Sequence, residues 1–355
     1  MPVQIQKKIK VLIVDDSALV RSILEAGLSK DPMITVVGTA SDPYIARDKI
    51  LELEPDVLTL DVEMPRMDGV VFLQKLMPQY PIPVIMVSAL TERGKKITMD
   101  ALEAGAIDFV TKPSTGISQG LNAMMADLRG KVKIAATADV SHWLNHKHSL
   151  RKIHQKHRVL SGGTDKVIAI GASTGGTEAI RTMIKMLPVS TPGVAIVQHM
   201  PPGFIQAFAE SLDRQSAMNV KEAKSGDRIM PGRVLIAPGG KQMTVYRSGG
   251  VYLTKIFDGG RVNGHCPSVE TLMNSVAEQV GDNAIGVMLT GMGGDGSQGL
   301  LAMRKAGART FAQDEKTSVV FGMPKVAYEI GAVEKMLPID AIVPAILKSL
   351  EQKVD

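Results

Sequence analysis

Two groups of polar residues in this chain stand directly behind apolar runs, and each group has the makings of a reaction centre. Asp15 and Asp16 close the run Ile9–Val14, and Asp61 closes Val57–Leu60. Ser88 ends Val84–Val87, and Lys112-Pro113 follow Ile107–Val110. Three carboxylates, a hydroxyl and an ammonium suit a divalent cation with hard oxygen ligands, Mg²⁺ above all, together with a phosphoryl group. Carboxylates so placed repel one another unless a cation shares them, and such a cation keeps an open face for a phospho-donor. Asp61 is then placed to carry an aspartyl phosphate, with Lys112 neutralising developing charge and Ser88 donating to a phosphoryl oxygen. Helix capping by aspartate accounts for one acid at a time, not for this set behind four strands.

The second group lies in the C-terminal half. Ile170-Gly171-Ala172-Ser173-Thr174-Gly175-Gly176 follows an apolar run and contains the G-x-S-x-G pattern of a nucleophile elbow. Gly171 and Gly175 permit a tight strand-to-helix turn that lifts the Ser173 hydroxyl clear of its backbone. The helix N-terminus behind it offers amide groups to a developing oxyanion. His199 ends the run Ala195–Gln198, and Asp295 lies in Thr290–Gly296 after another run. Serine, imidazole and carboxylate at one sheet edge are what a Ser-His-Asp triad requires. The chain order differs from that of α/β-hydrolases, where histidine comes last. Spacing alone leaves open a core histidine at 199 and a helix-capping aspartate at 295. The glycines lack G-x-G-x-x-G and no Lys-Ser/Thr follows, so dinucleotide and P-loop readings are weak.

Both groups need parallel sheets to hold them. Up to about residue 128, strand patterns at Lys10–Val14, Thr35–Thr39, Val57–Leu60, Val84–Val87 and Asp108–Val110 alternate with helix patterns at Ala18–Ser29, Tyr44–Leu53, Val70–Met77, Glu92–Ala104 and Gly120–Leu128. This alternation predicts a doubly wound (βα)5 domain over 9–128. A basic linker is expected over 129–165. A second α/β domain, Rossmann-like, is expected over 166–352, with strands at Val167–Gly171, Val194–Gln198, Val234–Ala237, Ala284–Leu289 and Thr310–Ala312. Its helices are expected at Thr177–Met186, Phe204–Asp213, Val269–Val280, Gly299–Ala306 and Val326–Ile330. Short runs between Arg233 and Lys255, split by Pro238-Gly239-Gly240 and Ser248-Gly249-Gly250, predict a β-hairpin insertion.

Composition narrows the classes. The 355 residues are 45% hydrophobic and 22% charged, as in ordinary globular proteins. No apolar run approaches the roughly 20 residues that span a bilayer. The single cysteine, Cys266, fits a reducing compartment, so a cytoplasmic protein without membrane insertion is expected. The net charge of +5 is local. The stretch His142–Arg158 holds five Lys/Arg and five of the seven histidines with no acid, leaving both flanking halves near neutral. That distribution argues against nucleic acid as a partner. The histidine spacing fits no metal-site pattern, and a solvated basic connector is expected.

The first half resembles the receiver domain of bacterial response regulators, in Val14-Asp15-Asp16-Ser17, Leu60-Asp61-Val62-Glu63-Met64-Pro65-Arg66-Met67-Asp68-Gly69, Ser88-Ala89 and Thr111-Lys112-Pro113. The resemblance implies phosphorylation at Asp61 and Mg²⁺ held by Asp15, Asp16, Asp61 and the Glu63 backbone carbonyl. It also implies a switch pair of Ser88 and Phe109 and a cis peptide at Lys112-Pro113. The second half resembles the catalytic domain of the chemotaxis protein-glutamate methylesterases, in Ala169–Gly176, Gln198-His199-Met200-Pro201-Pro202-Gly203-Phe204, Pro267-Ser268-Val269 and Leu289–Gly296. That family implies Ser173 as nucleophile, His199 as general base and acid, Asp295 as orienter, and an oxyanion hole of the Thr174 and Met292 N–H groups. No cofactor is implied in that domain. The implied substrates are γ-glutamyl methyl esters, and selected glutamines, on chemoreceptors; the implied phospho-donor is the histidine kinase of the chemotaxis system. The chain departs from the family at Cys266, where arginine is usual, and at Glu270, where aspartate is frequent. Cys266 beside His265 is expected to be an inert thiol, because adjacent side chains rarely meet.

Regulation is expected to run from one half to the other. A tethered, unphosphorylated receiver is expected to cover the cleft near Ser173 and to loosen on phosphorylation of Asp61. Two other readings compete: a DNA-binding response regulator, against which the lack of a basic recognition helix argues, and a dinucleotide-dependent enzyme fused to a receiver.

Overall fold

The computed structural model describes residues 7–64, 67–113, 117–144 and 165–351. Most of the histidine-rich segment therefore lies outside the described residues. The chain divides into two compact units, residues 1–150 and 151–355.

In the first unit β1 (Ile9–Val14), α1 (Ala18–Leu28), β2 (Ile34–Ala40), α2 (Pro43–Leu53), β3 (Val57–Asp61), α3 (Gly69–Leu76), β4 (Val84–Ala89), α4 (Glu92–Glu103), β5 (Asp108–Lys112) and α5 (Ile117–Ala135) alternate along the chain. The strands form a parallel sheet in the order β2-β1-β3-β4-β5. β3 is buried along its whole length and β4 nearly so, because helices cover both faces; continuous apolar runs are the mark of such strands. Each of the first four helices starts at a side-chain cap: Ser17, Asp42, Asp68 and Thr91 accept backbone N–H groups of the first turn. α5 runs on to Ala135, past the Leu128 end expected from sequence. Leu128, Val132 and Ala135 are buried along one face of it, and Lys131 and Lys133 pair with Asp108 and Asp31.

The second unit contains β6 (Val167–Ala172), α6 (Gly176–Met186), β7 (Gly193–Gln198), α7 (Ile205–Asp213), β8 (Asn219–Glu222), β9 (Arg228–Ile229), β10 (Arg233–Ile236), β11 (Gln242–Ser248), β12 (Val251–Phe257), α8 (Val269–Gln279), β13 (Ala284–Met288), α9 (Ser297–Lys305), β14 (Arg309–Gln313), α10 (Met323–Glu329), β15 (Lys335–Leu337) and α11 (Ile339–Glu351). Seven strands form a parallel sheet, β15-β14-β13-β6-β7-β10-β8. From β6 the chain builds outward through β7, then returns to lay β13 on the other side of β6. Such a reversal opens a crevice at the strands' carboxyl ends. The expected hairpin is β11–β12, which with β9 makes a separate antiparallel sheet.

The N-termini of α6 to α10 contrast with those of the first unit. Gly175, Phe204, Ser268, Gly296 and Gly322 stand at the cap positions, and none gives a side-chain cap. The first-turn amides of these helices turn to other acceptors: Gly176 N–H donates to the Ser173 carbonyl, Ser297 N–H to that of Gly294 and Met323 N–H to that of Gly291. No described helix is long and apolar enough to cross a membrane.

Candidate active site

In the first unit the switch point of the sheet lies between β1 and β3, and the acids stand there. Carboxylate oxygens of Asp15, Asp16 and Asp61 all lie within 4.8 Å of one another. Lys112 reaches over from the end of β5, with Nζ 3.0 Å from Asp15 Oδ2 and 2.9 Å from Asp61 Oδ2. One ammonium does not neutralise this cluster. Burial, and repulsion from Asp15, push the Asp61 carboxyl up to about 6 against the opposing pull of Lys112. Burial lowers the Lys112 pKa, but the two carboxylates outweigh it and the net shift is upward. An excess of buried negative charge among oxygen donors is the environment a hard dication relieves, so the residues present fit Mg²⁺.

Other parts of this site are arranged less directly. Ser88 is fully buried, and its Oγ lies 2.6 Å from Thr98 Oγ1 and 3.4 Å from the Gly94 carbonyl, both on α4. Glu63 follows in the β3–α3 loop, its side chain 3.5 Å from the Arg93 guanidinium. Phe109 is buried, with Lys131 Nζ 5.3 Å from its ring centroid. Arg21, not singled out from sequence, donates to the Asp15 and Asp16 carbonyls at 2.8 and 3.0 Å. The expected cis peptide at Lys112-Pro113 is a correction: the cis peptide among the described residues is Cys266-Pro267. Lys112 reaches both carboxylates from a trans connection.

In the second unit Ser173 follows β6, His199 follows β7 and Asp295 follows β13, all at the crevice. His199 Nδ1 lies 3.1 Å from Ser173 Oγ, and His199 Nε2 lies 2.9 Å from Asp295 Oδ2. Because a carboxylate only accepts, Nε2 carries the proton and Nδ1 presents a lone pair to the serine hydroxyl. Asp295 is 2% exposed. Burial raises its pKa, yet hydrogen bonds from His199, Asn263 and Ser268 overcome this and hold it at about 2. Asn263 Nδ2 and Ser268 Oγ donate to Oδ1 at 3.0 and 2.7 Å, and Val269 N–H donates to Oδ2 at 2.7 Å. The uncapped N-terminus of α8 therefore serves Asp295.

The turn after Ser173 differs from its sequence-based account in one detail. Gly175 takes the left-handed conformation, φ 75°, that caps α6. Gly171 is not part of the turn; it lies within β6, where a Cβ would come 2.2 Å from Val269 Cγ1. Its role is close approach of α8 to the sheet. Thr174 is buried, with the Thr290 hydroxyl 3.0 Å from its carbonyl, while Met292 is exposed.

Asn263 and His265 were missed as site residues. Asn263-Gly264 forms a tight turn, φ 53° and 85°, closed by reciprocal backbone bonds between Val262 and His265. The Asn-Gly pair is itself a turn signal. It places the His265 ring 3.7 Å from that of His199, nearly parallel at 5°. Burial, with the neighbouring His199, depresses the His265 pKa to about 4. Cys266 donates toward the Gly259 carbonyl at 3.7 Å, and burial raises its thiol pKa, as suits an unreactive cysteine.

Comparison with known proteins matches the chain to a family. Residues 168–346 match the family model described as CheB methylesterase, and residues 11–122 match the response regulator receiver domain. The chain is 62% identical to a protein-glutamate methylesterase/protein-glutamine glutaminase of Syntrophotalea carbinolica, covering 98% of this chain and 99% of that one. It is 52% identical to a protein of the same name from Sulfurimonas denitrificans, over 97% and 99% of the two chains. The second unit is similar to the crystal structure of the Thermotoga maritima CheB methylesterase catalytic domain, at TM-score 0.51 and 36% identity, over 53% of this chain and all 100% of that one. The C-terminal half is thus matched as a methylesterase rather than a DNA-binding module, and the chain belongs to the CheB methylesterase family, with a response regulator receiver domain ahead of the catalytic domain.

Proposed function

We propose that this chain is a phosphorylation-activated protein-glutamate methylesterase and protein-glutamine glutaminase acting on chemoreceptors in the cytoplasm. The observation that carries the reading is the continuous hydrogen-bonded line Ser173 Oγ, His199 Nδ1, His199 Nε2, Asp295 Oδ2, with steps of 3.1 and 2.9 Å.

Ser173 Oγ attacks the γ-carbonyl carbon of a methylated glutamate while its proton passes to His199 Nδ1. Asp295 holds the Nε2 proton and stabilises the imidazolium. The Thr174 and Met292 N–H groups meet the oxyanion. On collapse the C–O bond to methoxide breaks, Nδ1 returns its proton, and methanol leaves an acyl-Ser173. Water then attacks the acyl carbon, giving its proton to Nδ1; on collapse the bond from the acyl carbon to Ser173 Oγ breaks, Nδ1 returns the proton to Oγ, and glutamate leaves. A glutamine follows the same steps with ammonia as the leaving group. Every step uses groups of the protein and water, so the catalytic domain works without a cofactor.

In the receiver, the Asp61 carboxylate accepts a phosphoryl group from the phosphohistidine of the chemotaxis kinase. Asp15, Asp16, Asp61 and the Glu63 backbone carbonyl would hold Mg²⁺, which when bound neutralises charge between carboxylate and phosphoryl oxygens. Lys112 compensates the charge that arrives. Ser88 reaches the phosphoryl group only by giving up its place beside Thr98 and Gly94, so acylphosphate formation is coupled to α4. That coupling raises the esterase rate of the second unit. The domain limits proposed are a receiver that begins at 9 and runs past the expected 128 to the end of α5 at Ala135, a connector from there to 165, and a catalytic domain over 166–352.

Methanol release from methylated chemoreceptor membranes tests the assignment. Ser173→Ala is expected to abolish release in a folded protein; release equal to wild type would remove Ser173 as nucleophile.

A further inference from the structure

The amide assigned to the oxyanion belongs to a peptide unit whose other end is held by a side chain with no role so far. Gln198 ends β7 and is 3% exposed. Its Nε2 donates to the Ser173 carbonyl at 2.8 Å and to the His199 carbonyl at 3.2 Å. Gly176 N–H donates to the same Ser173 carbonyl at 2.7 Å, so that oxygen has two donors. The Ser173 carbonyl and the Thr174 N–H are opposite ends of one planar trans peptide, so fixing the first fixes the direction of the second.

The amide of Gln198 is fitted tightly to this task. A Cβ at position 176 would come 2.2 Å from its Oε1, so glycine there leaves the room it occupies. Its Oε1 is buried without a hydrogen-bond partner among the described residues. An unsatisfied buried acceptor is unfavourable, and an apolar side chain of similar length would carry none. What the amide contributes is therefore its Nε2 donor.

We propose that Gln198 is a positioning residue of the esterase: by holding the Ser173 carbonyl it aims the Thr174 N–H at the oxyanion. The inference rests on the reading of Ser173 as nucleophile and the Thr174 amide as oxyanion donor. It extends that reading, because Gln198 touches neither substrate nor reacting atoms. The same side chain also holds the carbonyl of His199, so it ties the nucleophile's strand to that of the base.

The test is steady-state methanol release by the full chain from methylated chemoreceptor membranes. Gln198→Met keeps the unbranched length and removes the donor. It is expected to lower kcat by about tenfold or more, part of what loss of an oxyanion donor costs. KM should stay within about twofold and the acid limb of the kcat/KM profile should not move, since the oxyanion forms after binding and the base is untouched. A folded Gln198→Met protein with wild-type kcat, or with a loss confined to KM, would overturn the proposal. Gln198→Glu keeps the size but turns a carboxylate toward two carbonyl oxygens, and is expected to lose more kcat than Gln198→Met. Should Gln198→Met not fold, wild-type kcat in Gln198→Glu would overturn the proposal by itself. Ser173→Ala run alongside separates the two levels: residual wild-type release there removes the nucleophile assignment, whereas its abolition with an unaffected Gln198→Met removes only the role of Gln198.

Discussion

The Ser268 hydroxyl donates to Asp295 Oδ1 across 2.7 Å, joining the N-terminus of α8 to the acid that follows β13. Ser268 stands at a helix cap position but does not cap its own helix; its hydroxyl is spent on the catalytic carboxylate instead. Removing it with Ser268→Ala leaves a buried, charged acceptor one donor short. A hydrogen bond to a charged group contributes about 1.5–3 kcal/mol. Urea unfolding of the catalytic domain should show a loss of that order, with partial esterase activity remaining.

Asp295→Asn should be far more severe than Ser268→Ala. Oδ2 accepts from His199 Nε2 and Val269 N–H, while Oδ1 accepts from Asn263 and Ser268. An asparagine has one accepting oxygen, so its NH₂ must face one of these donor pairs. If it faces His199, the wrong nitrogen of the imidazole is protonated. Esterase turnover is expected to fall on the order of 10⁴-fold, as for loss of the orienting acid in triads generally. Turnover within tenfold of wild type would contradict the role given to Asp295.

Acid should unfold the catalytic domain through the same carboxylate. The Asp295 pKa is held at about 2, below the ordinary 3.8. A depressed carboxyl contributes stability that is present above the unfolded value and lost as pH falls through the folded one, so the window is roughly pH 4 to 2. The contribution lost is about 2 kcal/mol. Stability measured by urea between pH 5 and pH 2 should decline more steeply in wild type than in Asp295→Ala, whose starting stability is lower. His265, depressed to about 4, is neutral above that pH and takes up its proton as pH falls through the upper edge of this window. It adds no charge beside His199 at neutral pH.

Lys112→Ala should separate the two activities. It strips Asp15 and Asp61 of their ammonium, which lies about equally close to both. Activation by a phospho-donor is expected to be lost or reduced at least tenfold, while basal methanol release stays within about twofold, because Lys112 belongs to the receiver alone. A drop in basal release equal to the drop in activation would count against independent sites.

Thr98→Val tests the state of Ser88. It removes the hydroxyl 2.6 Å from Ser88 Oγ at a fully buried position. Receiver stability should fall by about 1 kcal/mol, and the Ser88 hydroxyl, left with only its longer contacts to the Ala89 and Gly94 carbonyls at 3.3 and 3.4 Å, should reach the phosphoryl group more readily. Half-maximal activation at a lower phospho-donor concentration is the expected readout; a higher one would mean that Thr98 supports the active state.

Much of this was readable in the sequence because parallel strands buried on both faces are continuous apolar runs, and polar residues that end such runs stand out. Asp15, Asp61, Lys112, Ser173, His199 and Asp295 stand out that way, and the structure brings the first three together in one unit and the last three in the other. The misses have physical causes. β8 is a polar strand at the sheet edge and only Val220 of it is buried, so it lacks the apolar signal. α11 contains Pro344 and follows Pro338, residues that read as helix breakers. The end of α5 was hidden because Arg129-Gly130-Lys131 resembles the start of a solvated linker, whereas Lys131 is folded in against Asp108 and Phe109. Asn263, His265 and Gln198 act through contacts with residues distant in the chain, and single-sequence spacing carries no record of them.

In the proposed function, charge on Asp61 controls chemistry at Ser173. The most direct test of that control is the initial rate of methanol release with and without a small-molecule phospho-donor and Mg²⁺, in wild type and in Asp61→Asn. Wild type should be stimulated at least tenfold and Asp61→Asn not at all, with both depending on Ser173. Equal stimulation of the two proteins, or none in wild type that is shown to carry the acylphosphate, would contradict it.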